Sequence, residues 1–240
     1  MDNAYNTYPD VQRFARNFTI IEAILRDRAI FFNEIRDEIK LRGKIRAMLL
    51  SCIGFLAAYG AVMGAAHSIP QALSSMIKLP ALFLITLAIC TPSLYFFNLL
   101  FGSRQTLSQS ISLILTAMTT TAVLLFSFAP VTLFFLLTTS AYPFFKLLNV
   151  GCFAISGMMG VLFLRQGMVA IADWDNPTGA NTRRFIFLAW VLLYAFVGSQ
   201  MAWTLSPFIG EPGHEFILVR QMGGNFYADV LASIRQILGF

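Results

Sequence analysis

Two aspartates two residues apart, Asp173 and Asp175 in ADWDNPTG, have the spacing in this chain closest to that of a cation site. Two carboxylates are too few oxygen ligands to hold a hard divalent cation. No third ligand stands beside them, so the stretch reads as a Pro/Gly turn. The two histidines, His67 and His214, do not combine with Cys, Asp or Glu into a metal-ligand pattern. Cys52, Cys90 and Cys152 lie in three separate apolar stretches, outside any CxxC or Cys/His cluster. They read as small buried apolar side chains and leave the redox compartment open. The serines form no GxSxG, and neither an HExxH nor a phosphate-binding loop is present. Neither an enzyme nor a metal or other cofactor is expected.

Other residue types point to helix packing. Gly60 and Gly64 form a GxxxG, with Ala57 beside the same face. Ala154, Gly157 and Gly160 follow a similar small-residue spacing, as do Gly198 and Ala202. Small residues let two helix backbones approach inside a membrane, within one chain or between chains. Asn98, Thr120, Asn149 and Gln200 can hydrogen-bond between helices, or line a narrow pore in an oligomer. These groups do not titrate near neutral pH.

The elements that position them follow from composition. Of 240 residues, 57% are hydrophobic and 12% charged, against about 25% charged in ordinary soluble domains. Mean hydropathy is +0.69, and there are 24 phenylalanines. Such a chain cannot cover a globule with charge, so the expected class is all-α, a polytopic transmembrane helical bundle. The net charge of +5 fits the excess of Lys and Arg in cytoplasmic loops. No basic run interleaved with aromatics points to nucleic acid, so the expected partners are the bilayer itself and a protein partner or a second copy within it.

Five stretches are long enough to cross about 30 Å of hydrocarbon. They cover about 47–66, 80–101, 107–129, 147–164 and 185–206. Between Pro130 and Pro143 lies VTLFFLLTTSAY, apolar but 12 residues long, or about 18 Å of helix. It reads as a continuation of the third span, a re-entrant dip, an interfacial segment or a tilted sixth span. Lys40, Arg42, Lys44 and Arg46 precede the first span and place the N-terminus in the cytoplasm. With five spans, Arg104, Arg165, Arg183 and Arg184 fall inside and Lys78, Lys146, Arg220 and Arg235 outside. That is four against four, and six spans give the same tie. Length alone favours five.

Residues 1–46 form a charged arm, 47–206 the bundle and 207–240 an extramembrane tail. In the arm Val11, Phe14, Phe18, Ile21 and Leu25 recur at helical spacing, and Phe32, Ile35 and Ile39 resume the stripe. In the tail Tyr227, Val230, Leu231, Ile234 and Leu238 make one apolar helix face. Both ends therefore read as amphipathic helices.

A cytoplasmic N-terminal region, about five clustered spans and a short far-side end together resemble Yip1-type membrane proteins. The pieces YPFFKLLNV (Tyr142 to Val150), WTLSPFIGEPG (Trp203 to Gly213) and GGNFYADV (Gly223 to Val230) are similar to an uncharacterised bacterial membrane family. Neither resemblance implies a site. The expected role is a non-catalytic scaffold, assembly factor or accessory subunit of a membrane complex, in a bacterial inner membrane. The alternative is a homo-oligomeric channel or passive transporter lined by Thr, Asn and Gln.

Overall fold

A computed structural model describes residues 20–100, 106–139, 142–171, 180–209 and 226–238. All secondary structure in those residues is helical. The arm contributes α1 (residues 20–26) and α2 (Arg28–Arg36). The long helices are α3 (Leu41–Gly64), α4 (Ile69–Leu100), α5 (Leu107–Thr138), α6 (Tyr142–Ile171) and α7 (Ala180–Leu205), and α8 (Phe226–Leu238) closes the tail. Five of these helices are long and apolar enough to cross a membrane. The protein is an integral membrane helical bundle.

The amphipathic stripe of the arm has a definite destination. Phe31, Phe32 and Ile35 on one face of α2 are buried against the bundle, chiefly against α6. A turn over residues 37–40 then reverses the chain into α3. It uses two positive-φ residues without glycine, Glu38 at 56° and Lys40 at 50°. Polar contacts offset this turn. Lys44 Nζ pairs with Glu34 Oε2 at 2.5 Å and lies 5.3 Å from the Phe31 ring centre.

The first span starts at Leu41 instead of 47, because the apolar side of α3 is already buried at Leu41. The second starts at Ile69 instead of 80, since Pro80 lies inside α4. That shift takes Lys78 out of a loop and into the spanning helix. The third continues through Pro130 to Thr138. The short stretch after Pro130 is thus the far end of α5, and the sixth span is not formed. At 32 residues, α5 is about 48 Å long, more than hydrocarbon thickness requires. The fourth is longer than 147–164 and includes both Lys146 and Arg165. The last spanning helix is apolar over Phe187–Leu205.

α5 occupies the middle of the bundle. It packs on α3 along one side and α6 along the other, α3 also packs along α4, and α7 rests on α4. Its N-terminus is fixed by a capping box: Thr106 Oγ1 accepts from the Gln109 N–H, and Gln109 Oε1 accepts from the Thr106 N–H. Both ends of that box also touch the arm. Thr106 Oγ1 donates to Glu38 Oε1 at 2.6 Å, and Gln109 Nε2 donates to the Arg36 carbonyl at 2.8 Å. The central apolar core comprises Met48, Cys52 and Leu56 of α3 with Leu113, Ala122 and Leu125 of α5. The apolar stripes left outward, such as Ile69, Leu73 and Ile77 on α4, are what spanning helices offer to lipid.

Candidate functional site

The polar side chains inside the bundle form a seam along α5. Ser110, Ser112, Thr116, Thr119, Thr120 and Thr132 are buried on it. In hydrocarbon a hydroxyl without a partner is costly; three of these six turn back onto their own helix, while Ser110 Oγ has no hydrogen-bond partner. Ser112, Thr116, Thr120 and Thr121 each donate to the carbonyl four residues earlier, at 2.8–2.9 Å. Other contacts reach across, Thr116 Oγ1 to Met48 Sδ of α3 at 3.5 Å among them. Thr119 Oγ1 donates to the Met48 carbonyl of α3 at 3.3 Å, and Thr121 Oγ1 lies 3.3 Å from the Ser156 carbonyl of α6.

Nearer the far end of α5, three helices meet. The Tyr59 phenol of α3 donates to Asn149 Oδ1 of α6 at 2.8 Å and lies 3.4 Å from Thr132 Oγ1 of α5. Asn149 Nδ2 in turn donates to the Phe145 carbonyl at 2.8 Å. The Tyr59 ring meets Phe153 edge-on at 5.7 Å.

A second polar group lies where α7 ends. The chain leaves α7 through a cis Ser206–Pro207 peptide and runs back onto α4. Gln71 Nε2 donates to the Pro207 carbonyl at 2.8 Å, Ser75 Oγ to the Phe208 carbonyl at 2.6 Å, and Lys78 Nζ to the Pro207 carbonyl at 3.3 Å. Tyr142 of α6 reaches the Ile209 carbonyl at 3.4 Å. Residues 206–209 therefore tie α7 to α4 and α6. Among the described residues Lys78 is the one charged side chain that is buried, which explains how a span can contain it.

The small residues divide into two kinds. A Cβ on Gly60 would strike the Ser75 carbonyl oxygen, and one on Gly64 would come 2.5 Å from the Gln71 carbonyl oxygen. These two glycines set the close crossing of α3 and α4. A Cβ on Gly160 would strike Thr121 Oγ1 and stand 2.8 Å from the Ala117 carbonyl oxygen, so it sets the α5–α6 crossing. Gly157, expected on the same packing face, has nothing within 4 Å of such a Cβ. It lies one residue around the helix from buried Ser156 and looks outward. Gly198 makes an ordinary 3.8 Å contact with Thr86, and Ala202 is half-buried. Gly167, which belongs to no small-xxx-small pair, is the one sequence reasoning missed. A Cβ there would meet Leu113 and the Phe32 ring, at 2.5 and 2.7 Å.

Of the four residues proposed to line a pore, three have described side chains. Thr120 and Asn149 are buried in the one-chain core, while Gln200 is half-buried on α7. The side chain of Asn98 lies outside the described residues, as do Asp173, Asp175 and His214. His67 sits at the α3–α4 turn with its Nδ1 3.0 Å from Ser68 Oγ. The three cysteines are free and buried, on α3, α4 and α6. Among the described residues no group of three His, Cys, Asp or Glu side chains could hold a metal.

Two grooves open sideways from the bundle. One, of about 440 Å³, is lined by Leu87, Thr91, Pro92, Tyr95, Leu107 and Ile111 between α4 and α5. The other, of about 290 Å³, lies along the α3–α4 hairpin and is lined by Ala61, Ala65, Ser68, Ala72, Leu73 and Met76. Both are almost wholly apolar, so they lack the convergent polar groups of a substrate site. Compared with known protein families, curated proteins and solved structures, the chain matches none.

Proposed function

We propose that this protein is a non-catalytic accessory, scaffolding or assembly subunit of a membrane complex. One observation carries the reading: where α3, α5 and α6 meet, the polar groups close on one another within a single chain, although the buried hydroxyls of Ser51, Ser74, Ser110, Ser156 and Tyr194 have no hydrogen-bond partner. Tyr59, Thr132 and Asn149 bond together, and Thr116 and Thr120 of α5 bond to carbonyls of their own helix. A pore lined by Thr, Asn and Gln would need these groups turned toward a lumen. Here they lock α3, α5 and α6 into a rigid body, which suits a part that positions other proteins. The lipid bilayer and a protein within it are its partners.

We place the N-terminus in the cytoplasm and the C-terminus on the far side, in a bacterial inner membrane. The charge tally supports this once the two far-side lysines are seen in place. Lys78 is buried, donating to Pro207, and Lys146 is paired with Asp229 at 2.8 Å. Neither acts as a free surface charge, and among the described residues that leaves Arg235 exposed on the far side against Arg42, Arg46, Arg165 and Arg184 exposed at the opposite end. The excess of free positive charge then lies on the side of the arm.

Cross-linking in native membranes, followed by particle mass and subunit composition, tests the functional reading. A reproducible, stoichiometric set of unrelated subunits is the expected result. A symmetric ring of identical chains would replace it with the channel reading.

A further inference from the structure

The tail helix α8 is oriented the wrong way round for a helix lying on a water-exposed surface. Its bundle-facing side carries polar groups beside half-buried Phe226 and Val230: Ser233 is 3% exposed, and Asp229 reaches Lys146 of α6 at 2.8 Å. Its apolar stripe faces away, with Tyr227, Leu231 and Ile234 exposed at 48%, 58% and 37%; Arg235 in the last turn is exposed beside them, where a long cationic side chain can reach the headgroups. In water that arrangement would leave a hydrophobic patch uncovered.

Two contacts fix the depth of α8 against the spans. The Tyr227 hydroxyl lies 3.0 Å from Ser199 Oγ. Ser199 stands six residues before the end of α7 at Leu205, or about 9 Å inside it. Lys146 stands four residues into α6 from Tyr142, or about 6 Å. The start of α8 is therefore level with the interior of two spanning helices. It abuts the outward apolar surface of α7, where Leu192 and Phe196 are also exposed.

We propose that α8 is a membrane-inserted helix, seated against α6 and α7 with Tyr227, Leu231 and Ile234 in contact with lipid acyl chains. It occupies the leaflet at the end of the bundle where α6 begins and α7 ends. The Lys146–Asp229 pair is the anchor that lets an acidic residue enter at that depth. Charge complementarity satisfies the polar side inward, and the apolar side continues the lipid-facing surface of α7. The C-terminal region is thus not simply an extramembrane tail.

Spin labels on Leu231→Cys and Ile234→Cys, in the full chain in phosphatidylethanolamine/phosphatidylglycerol vesicles, test this. The native cysteines are buried and free, so labelled wild type serves as the blank. Collision with dissolved oxygen should exceed collision with a water-soluble nickel chelate, as at a Phe196→Cys reference on α7. A preference for nickel at 231 and 234 would overturn the proposal by placing the stripe in water. Immobilised labels shielded from both would overturn it by placing a protein there. Asp229→Lys, which sets two cations face to face, should abolish the oxygen preference. The exchanged pair Lys146→Asp with Asp229→Lys should restore it. An unchanged ratio in Asp229→Lys would remove the ion pair as the anchor and overturn the proposal as well.

Discussion

The Tyr59 phenol donates to Asn149 Oδ1 at 2.8 Å across a separation of 90 residues, and this bond joins the first and fourth spans of the bundle. Both side chains are buried, so water cannot replace either partner. With Thr132 3.4 Å from the same hydroxyl, three helices are held in one register at this level. Apolar contacts alone discriminate poorly between registers in lipid, where a leucine is as well solvated outside as inside.

Tyr59→Phe and Asn149→Ala should each destabilise the protein. Their combination should cost less than the sum by about 1 kcal/mol, the usual order for such a bond. Unfolding in mixed detergent micelles, followed by circular dichroism, measures the cycle. Strict additivity would mean the two side chains are neighbours without a bond.

Fold class was legible because composition and span length are local properties. The core residues Tyr59, Thr132 and Lys78 were harder to read. Lys78 was expected in a loop because a charge ordinarily ends a span. Its ammonium is accepted by a carbonyl 129 residues later, which no local window contains. The Pro130 stretch was ambiguous for a related reason. A proline removes one backbone donor but does not by itself say whether the helix stops. Spacing picked out Gly60, Gly64 and Gly160, which meet neighbours within the chain, and Gly157, which meets none there. Periodicity shows which residues share a face but leaves open which face meets a neighbour. Gly167 gave no signal because its partner is Phe32, a large residue far off in the arm.

The glycines separate sharply under the same substitution. Gly60→Ala and Gly160→Ala should each cost about 1–3 kcal/mol, because a methyl would be forced against backbone carbonyl oxygens. Gly157→Ala should stay within about 0.5 kcal/mol of wild type. The buried thiols Cys52, Cys90 and Cys152 provide the readout, since a maleimide dye reaches them only on unfolding. Equal melting temperatures for all three variants would show that the close crossings are soft.

The docked arm depends on Phe32, which is 3% exposed and sits against Gly167. Phe32→Ala should remove about 3 kcal/mol of packing, and Gly167→Leu should expel the ring from the opposite side. Phe32→Ala should loosen α2 while the spans hold, whereas Gly167→Leu, which also strikes Leu113 of α5, should strain the α5–α6 packing as well. Trypsin cleavage after Arg28 or Arg36 should then quicken in purified protein, with α3 to α7 left intact. Unchanged cleavage would mean that the Lys44–Glu34 and Gln109–Arg36 contacts hold the arm without the ring.

The side reached by the C-terminus tests the topology. On the orientation proposed above, with the arm in the cytoplasm, five spans deliver α8 to the far side, and α5 absorbs the stretch after Pro130 that could have supplied a sixth. The exposed arginines Arg42, Arg46, Arg165 and Arg184 would each cost energy to translocate, whereas Lys146 is neutralised by Asp229. A fluorescent protein that matures only in the cytoplasm, fused after Phe240, should therefore stay dark, and alkaline phosphatase at the same point should be active. Bright fluorescence would require an even number of crossings. The first place to look would then be α5, whose length of about 48 Å over 32 residues leaves apolar helix beyond one bilayer crossing.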